Sequence, residues 1–360
     1  MKIKYCFGLL LTLLTFPAMP ITAGAQQLRE TFRKVSPSVV IVKTKQVDVP
    51  TVSEQTLTVI DGFGSGVLIS NDGKILTAAH VVQTADVACV EFPDGQQIIA
   101  HVVGSDVRSD VALLQLERMP KGIAPARLGD SDKIEVGDQI FVIGAPYGIS
   151  QTLSAGHLSG RHRLNKSDVG TTAVEFLQTD AAVNGGNSGG PMFDVDGNVI
   201  GIVSSIMSHS GGSEGLAFAT AANTAKQLLL DRKPFWSGID GLLVAGDLAK
   251  ALNFPQPAGI LVERIGEGSI GSRLGINPGT LRVTIQGADI LLGGDVILSV
   301  NDIEITPAQV PEGLGRSRTP SDESYERIYN KIAGLKPGDI VAVKIFRGGK
   351  VVTLTTTVER

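Results

Sequence analysis

From about residue 35 to residue 220, short aliphatic and β-branched runs alternate with clusters of Gly, Asp, Asn and Pro. The runs include "SVVIVKTK", "GSGVLIS", "KILTAAHVV", "VACVEF", "IIAHVV", "VALLQLE", "QIFVIGAP" and "VIGIVSSI". Runs of this length bounded by breakers predict strands, and many of them at such spacing predict a barrel or sandwich. "NDGK" at 71 to 74, "PDG" at 93 to 95 and "VDGN" at 195 to 198 carry hairpin-turn chemistry. The pattern turns helical at 220 to 231, "TAANTAKQLLLD", after which "RKPFWSG" reads as a linker into a second unit.

From 236 onward strands mix with two predicted helices. In "TPSDESYERIYNKIAG" Thr319 is the candidate N-cap, Pro320 the first helical residue, and Asp322 completes the capping arrangement. Tyr325, Ile328, Tyr329 and Ile332 then fall on one face, and Gly334 ends the helix. "DIVAVKIFRGGKVVTLTTTVE" predicts a hairpin turning at Gly348 and Gly349. The expected fold class is therefore mostly β, with a multi-stranded barrel unit followed by a compact α+β module.

Composition sharpens this picture. The 360 residues suffice for two or three units, and 42% hydrophobic with 19% charged residues is ordinary for a globular chain. The leader differs from the rest. Lys2 and Lys4 precede "FGLLLTLLTF", and Ala23 and Ala25 stand as in an A-x-A site, so residues 1–25 read as a secretory signal peptide cut after Ala25. Its removal takes two lysines and no acid, moving the formal charge from −4 to −6. An acidic chain of this kind is not built for nucleic acid. Cys6 leaves with the leader and Cys89 remains alone, read as a small buried hydrophobe, so the exported chain has no internal disulfide.

The chemistry concentrates in "VNGGNSGGPMFD", residues 183 to 194. A serine hydroxyl needs a base, an acid that orients the base, and donors for a developing oxyanion. Ser188 sits among glycines, where the amides of Gly186 and Ser188 can converge on one oxygen. Five histidines are present: His80, His101, His157, His162 and His209. His80 stands out, at the end of an apolar run beside two alanines. His157 and His162 have no Cys or acidic company and read as surface residues, so no metal is expected. Asp180 reads as a structural hydrogen-bonding residue. "SDVRSDVALLQLE" offers two acids, Asp106 and Asp110, and Asp110 directly precedes an apolar run. The order His, Asp, Ser is that of the chymotrypsin-type barrel.

"TAAHVV", "SDVALLQL" and "QTDAAVNGGNSGGPMFD" resemble the active-site blocks of trypsin-like serine proteases, specifically the HtrA (Deg) family of envelope proteases. "KVSPSVVIV", "GFGSGVLIS" and "GLAFAT" extend the likeness over about residues 28 to 232. The resemblance implies a chymotrypsin-like double β-barrel over 26–233. It implies His80 as general base, Asp110 as its orienting partner, Ser188 as nucleophile, and Gly186, Asn187 and Ser188 as the oxyanion hole. It assigns Ala182, Val183, Ser204 and Ser205 to the S1 pocket, and Ala182 in place of an aspartate implies small or medium apolar side chains there. Asn187 in place of an aspartate implies no activation by N-terminal insertion. Gly185, where the family often has proline or a bulkier residue, implies a more mobile loop. "GRHRLN" resembles the family's GRxGLN segment and makes Arg161 its regulatory-loop arginine, with Arg163 in place of the usual glycine.

Residues 234–360 resemble a PDZ domain, which adds a peptide as a strand and captures its terminal carboxylate. "WSGI", Trp236, Ser237, Gly238 and Ile239, is the implied carboxylate-binding loop, with "DLAKAL" and "GILVERI" following. The usual "AGIKPGDVI" is split by "TLRVTIQGADILLG", read as an extra hairpin. The resemblance implies an exported periplasmic or envelope endopeptidase without cofactor. Its implied partners are unfolded protein or peptide substrates and C-terminal peptides at the PDZ domain. It also implies a homotrimer or a multiple of trimers, and the short stretch 46–60 argues against the long interlocking loop of cage-forming members. The alternative reading is a PDZ-dominated peptide sensor or chaperone-like binding protein with weak peptidase activity.

Overall fold

The computed structural model describes residues 23–48, 58–148, 151–163, 174–208, 212–285, 288–307 and 322–358. The body of the leader, His209, the centre of the 46–60 stretch and the Thr319 cap lie outside the described residues. The first element is a helix, α1 (Ala23–Val35), which straddles the expected cut after Ala25. Its Leu28 and Phe32 pack on the core. The strand-like blocks that follow did not announce this helix.

Six antiparallel strands then close a barrel in the order β1-β2-β3-β6-β5-β4. They are β1 (Val39–Asp48), β2 (Thr58–Leu68), β3 (Lys74–Thr77), β4 (Val87–Glu91), β5 (Gln97–Asp106) and β6 (Val111–Leu116). The one-turn helix α2 (Ala79–Val82) interrupts them after β3. A short β7 (Arg127–Leu128) leads to β8 (Gln139–Gly144), β9 (Thr152–Arg163), β10 (Glu175–Thr179), β11 (Pro191–Asp194), β12 (Asn198–Ile206) and β13 (Ala217–Ala221). These run β11-β8-β9-β10-β13-β12, and the β11–β12 pairing closes the second barrel. The turns "NDGK", "PDG" and "VDGN" join β2 to β3, β4 to β5 and β11 to β12 as expected.

Each barrel has its own apolar filling. Val42, Leu68, Ile75, Val90 and Leu114 fill the first, and Ile140, Leu158, Leu177, Met192 and Ala219 the second. A third cluster glues them together. Val67, Leu76 and Val111 from the first barrel meet Phe141, Phe193 and Ile202 from the second, with Leu228 of α3 (Ala222–Leu229). The Phe141 and Phe193 rings stack at 5.2 Å. Because this seam is buried and apolar, the two barrels are packed against each other, and loops from both meet at fixed separations.

The C-terminal unit holds β14 (Ile239–Ala245), α4 (Gly246–Ala251), β15 (Ala258–Ile265), α5 (Ile270–Arg273), β16 (Leu281–Ile285), β17 (Ala288–Leu292), β18 (Val296–Val300), β19 (Ile303–Glu304), α6 (Asp322–Ala333), β20 (Ile340–Arg347) and β21 (Lys350–Thr357). The sheet runs β14-β15-β18-β20-β21 with β19 on β18, so β14 forms one edge. Three helices stand here among the described residues, where sequence periodicity indicated two. β16 and β17 pair as the extra hairpin, and Val283, Ile290 and Leu292 cover one face of the sheet. The β20–β21 turn places Gly348 at φ 55° and Gly349 at φ 79°, the two left-handed positions that a two-residue hairpin loop requires. Arg347 grips the buried Asp295 with two bonds of 2.8 and 2.5 Å and fixes β20 against β18.

Candidate active site

His80 lies on α2, immediately after the buried β3. The helix sits close on β2 because Gly64 there lacks a side chain. A Cβ on Gly64 would fall 2.7 Å from Val81 Cγ2 and 2.9 Å from the Ser188 carbonyl oxygen. One glycine therefore lets the His80 helix and the Ser188 loop approach the same strand.

Asp110 occupies the β5–β6 turn at φ 53°, a left-handed conformation that a non-glycine residue adopts only when its surroundings enforce it. The enforcing bonds are visible. Buried Asp106 accepts the amide of Ser109 at 2.8 Å and its hydroxyl at 2.7 Å. Thr220 of the second barrel donates to the Ser109 carbonyl. The Asp110 carboxylate then receives His80 Nδ1 at 2.8 and 3.0 Å, the His80 amide at 3.0 Å and Ser204 Oγ at 2.6 Å. Loss of water around the ring acts to lower the His80 pKa, and the Asp110 hydrogen bond and negative charge outweigh it. The imidazole is held above its usual 6.5.

Ser188 completes the cluster from the second barrel. Its hydroxyl donates to the Ser204 carbonyl at 3.4 Å, so Ser204 touches both the serine and, through its own hydroxyl, the aspartate. Among the described residues the His80 ring bonds to Asp110, and no hydrogen bond joins it to Ser188 in this state. Around the serine almost every backbone group is committed. The Asn187 amide donates to Asn184 O at 3.1 Å, Gly190 N to Asn187 O at 2.9 Å, Gly189 N to Val203 O at 2.7 Å, and Ser65 N to Ser188 O at 2.7 Å. The amides of Gly186 and Ser188 are left unpaired among the described residues. Asn187, expected to supply a third oxyanion donor, does not: its amide is used inside the turn.

Other expected site residues divide. Ala182 and Ser205 are exposed. Val183 is 3% exposed and packs within the second barrel's filling. The Ser204 hydroxyl is engaged by Asp110, while its carbonyl lies beside the Ser188 hydroxyl. Asp180 accepts the His157 amide at 2.6 Å, consistent with a structural role. Cys89 is only partly buried. Two residues that the motif reading passed over are Ser204 as carboxylate partner and Gln83. The Gln83 side-chain amide donates to Ser237 Oγ and Ile239 O at 3.0 Å, and the Gln83 backbone carbonyl accepts Trp236 Nε1 at 2.9 Å. Ser105 Oγ donates to Gln83 Oε1 at 2.6 Å.

Arg161, expected in a loop, stands in β9. Its guanidinium forks onto Glu175 at 3.0 and 2.8 Å and donates to Ile134 O at 2.7 Å, while Arg163 adds a bond of 2.9 Å. Burial raises the Glu175 pKa, and the two arginines more than reverse this and hold it below its usual value. Substituting Arg161 by alanine leaves a carboxylate of 7% side-chain exposure with Arg163 alone. A loss of about 2–3 kcal/mol in urea unfolding is expected, less than the roughly 3–5 kcal/mol of a fully broken buried pair.

Comparison with known proteins agrees with this geometry. The family described as the trypsin-like peptidase domain matches residues 64–202. The chain is 40% identical over 240 residues to a probable periplasmic serine endoprotease DegP-like of Ectopseudomonas mendocina (strain ymp), covering 65% of this chain and 50% of that protein. A probable periplasmic serine endoprotease DegP-like of Pseudomonas putida (strain GB-1) is 39% identical over 305 residues, covering 78% and 63%. The chain thus spans about half to two thirds of the length of these curated relatives. Among solved structures, the HtrA-type protease AlgW with a tripeptide is 30% identical at a TM-score of 0.50, covering 92% of this chain and 96% of that one. The motifs, the paired barrels and this match over nearly the whole of both chains lead to one conclusion: the chain belongs to the HtrA family of trypsin-like serine proteases.

Proposed function

We propose that this chain is a periplasmic serine endopeptidase that cleaves unfolded or damaged proteins, with residues 26–233 as protease domain and 234–360 as a peptide-binding PDZ domain. The observation that carries the reading is the meeting of Ser188, Ser204, Asp110 and His80 beside two unpaired amides. In this reading Ser188 Oγ turns from the Ser204 carbonyl toward His80 Nε2 when a substrate arrives. It attacks the peptide carbonyl while His80 takes its proton. Asp110 holds the Nδ1–H tautomer and stabilises the imidazolium, and the amides of Gly186 and Ser188 receive the oxyanion. His80 then protonates the leaving amine, and water repeats the sequence on the acyl-enzyme.

The edge position of β14 supports peptide addition in the C-terminal unit. Beside it lies a cavity of about 140 Å³ lined by Ile239, Ile270, Leu274, Tyr325, Ile328 and Ile332, suited to an apolar side chain. The loop Trp236–Ile239 stands at its end, where it touches Gln83. This contact supports regulation of the protease by peptide capture. Assembly as a trimer or a multiple of trimers rests on the family resemblance.

A radiolabelled fluorophosphonate tests the reading. One phosphonyl group per chain is expected on the proteolytic fragment carrying Ser188, with fluoride released, together with cleavage of denatured casein. Labelling elsewhere, or no labelling and no cleavage, overturns it. The pH profile adds a second check. Because His80 must be neutral to accept a proton, and its pKa is raised, kcat/KM is expected to climb with pH through a midpoint above 6.5. A midpoint below that value contradicts the Asp110 contact.

A further inference from the structure

Ser65 lies on β2, fully buried, and none of its polar atoms is idle. Its amide donates to the Ser188 carbonyl at 2.7 Å. Its hydroxyl donates to the Gly186 carbonyl at 2.7 Å and accepts the Ala145 amide at 2.9 Å. Its own carbonyl accepts Thr77 Oγ1 at 2.7 Å. One residue of the first barrel thereby holds the carbonyls on both sides of the Asn187–Ser188 peptide, Ser188 O through its amide and Gly186 O through its side chain, in a loop that belongs to the second.

The loop needs such a clamp. Gly186 stands at φ 95°, and with Gly185 before it the peptide between them meets little steric resistance to rotation. A Cβ on Gly185 would meet nothing within 4 Å, so neighbouring side chains do not restrain it either. Asn187 is 3% exposed, yet its Oδ1 finds no partner, so that side chain does not supply the missing restraint. The Gly186–Asn187 plane is fixed at one end by Asn184 O and at the other by Ser65 Oγ.

We infer that Ser65 is a positioning residue that holds the Gly186 and Ser188 amides in the orientation required to receive an oxyanion. The inference rests on the peptidase reading above and adds a residue that touches neither substrate nor His80. With alanine at 65, the Gly186 carbonyl and Ala145 amide lose their partner inside the protein, and the Gly186–Asn187 plane turns to recover one, moving the amides on either side of it. The cost falls on the transition state, because ground-state binding does not use these amides to the same extent.

The test compares wild type, Ser65→Ala and Ser65→Cys, with rates expressed per fluorophosphonate-titrated site so that unfolded chains do not count. For Ser65→Ala, kcat is expected to fall about 10- to 100-fold with KM within about 3-fold, since misplacement of about 1 Å costs up to about 100-fold. The acid limb of the pH profile stays in place, because the His80–Asp110 contact is untouched. Amide hydrogen exchange across 184–190 accelerates at least about 10-fold while the barrel cores keep their protection. Ser65→Cys, which retains a weak donor, falls between, and it decides the matter if the alanine variant does not fold. Equal kcat per titrated site, a rise in KM alone, or unchanged exchange across 184–190 overturns the inference. Inactivity of the wild-type chain would instead refute the peptidase reading, and the exchange measurement then decides the role of Ser65 by itself.

Discussion

Alanine at position 188 is expected to lower kcat on a denatured protein substrate by roughly a million-fold, the scale seen when a catalytic serine acting as part of a unit is removed. The fold has no reason to object. The Ser188 hydroxyl is held only by a bond of 3.4 Å to the Ser204 carbonyl, whereas the loop is held by backbone groups that alanine retains. The Gly186 and Ser188 amides persist, so a small residual rate above that in water is expected from them alone. Thermal unfolding within about 2 °C of wild type, equivalent to about 1 kcal/mol for a unit of this size, combined with hydrolysis near background, is the expected pair of results. A variant that keeps more than about 1% of the wild-type kcat would remove Ser188 from the chemistry.

Asparagine at position 110 is expected to cost about ten-thousand-fold in kcat near neutral pH, by forcing the wrong tautomer on the base. This position makes the experiment unusually clean. Asp110 sits at φ 53°, a conformation asparagine tolerates better than other non-glycine residues, so the β5–β6 turn keeps its shape. The asparagine oxygen can accept only part of what the carboxylate accepts from the His80 amide, His80 Nδ1 and Ser204 Oγ. With the NH2 group facing the ring, His80 Nδ1 becomes an acceptor and Nε2 carries the proton, leaving no base toward Ser188. The anionic contributions that raise the His80 pKa vanish while the loss of hydration remains, so any residual activity has its acid limb at lower pH than wild type. Unchanged kcat, or an acid limb moved upward, contradicts the proposed role of Asp110.

The hydrophobic pattern foresaw the strands well because alternation and turn chemistry are local properties. "SVVIVKTK", "VALLQLE" and the "GG" hairpin became β1, β6 and the β20–β21 turn. Helix α1 escaped because "AGAQQLRETFRKV" has only a few large apolar residues, and Leu28 and Phe32 gain their value from a core formed by distant strands. At the site, His80, Asp110 and Ser188 were legible from their motifs, and the structure brings them together. The finer assignments were not. The Val183 side chain is buried in the second barrel's filling and the Ser204 hydroxyl bonds Asp110, contacts that neighbouring motif letters do not announce. The Asn187 amide looked available until the 184–187 turn consumed it. Ser65 stood inside the quoted "GFGSGV" block, yet its partners at 145, 186 and 188 are visible only once two barrels face each other.

The segment "RKPFWSG" read as a tether, but its Phe235 carbonyl accepts the Ser105 amide at 2.9 Å and Trp236 Nε1 donates to the carbonyl of Gln83. The two halves of the chain are therefore not interchangeable parts. A chimera that imports a foreign C-terminal half at residue 234 keeps Gln83 and Ser105 but loses the groups they were fitted to, leaving buried amides to find water. The seam between the halves is thus one packed and hydrogen-bonded unit although it joins two.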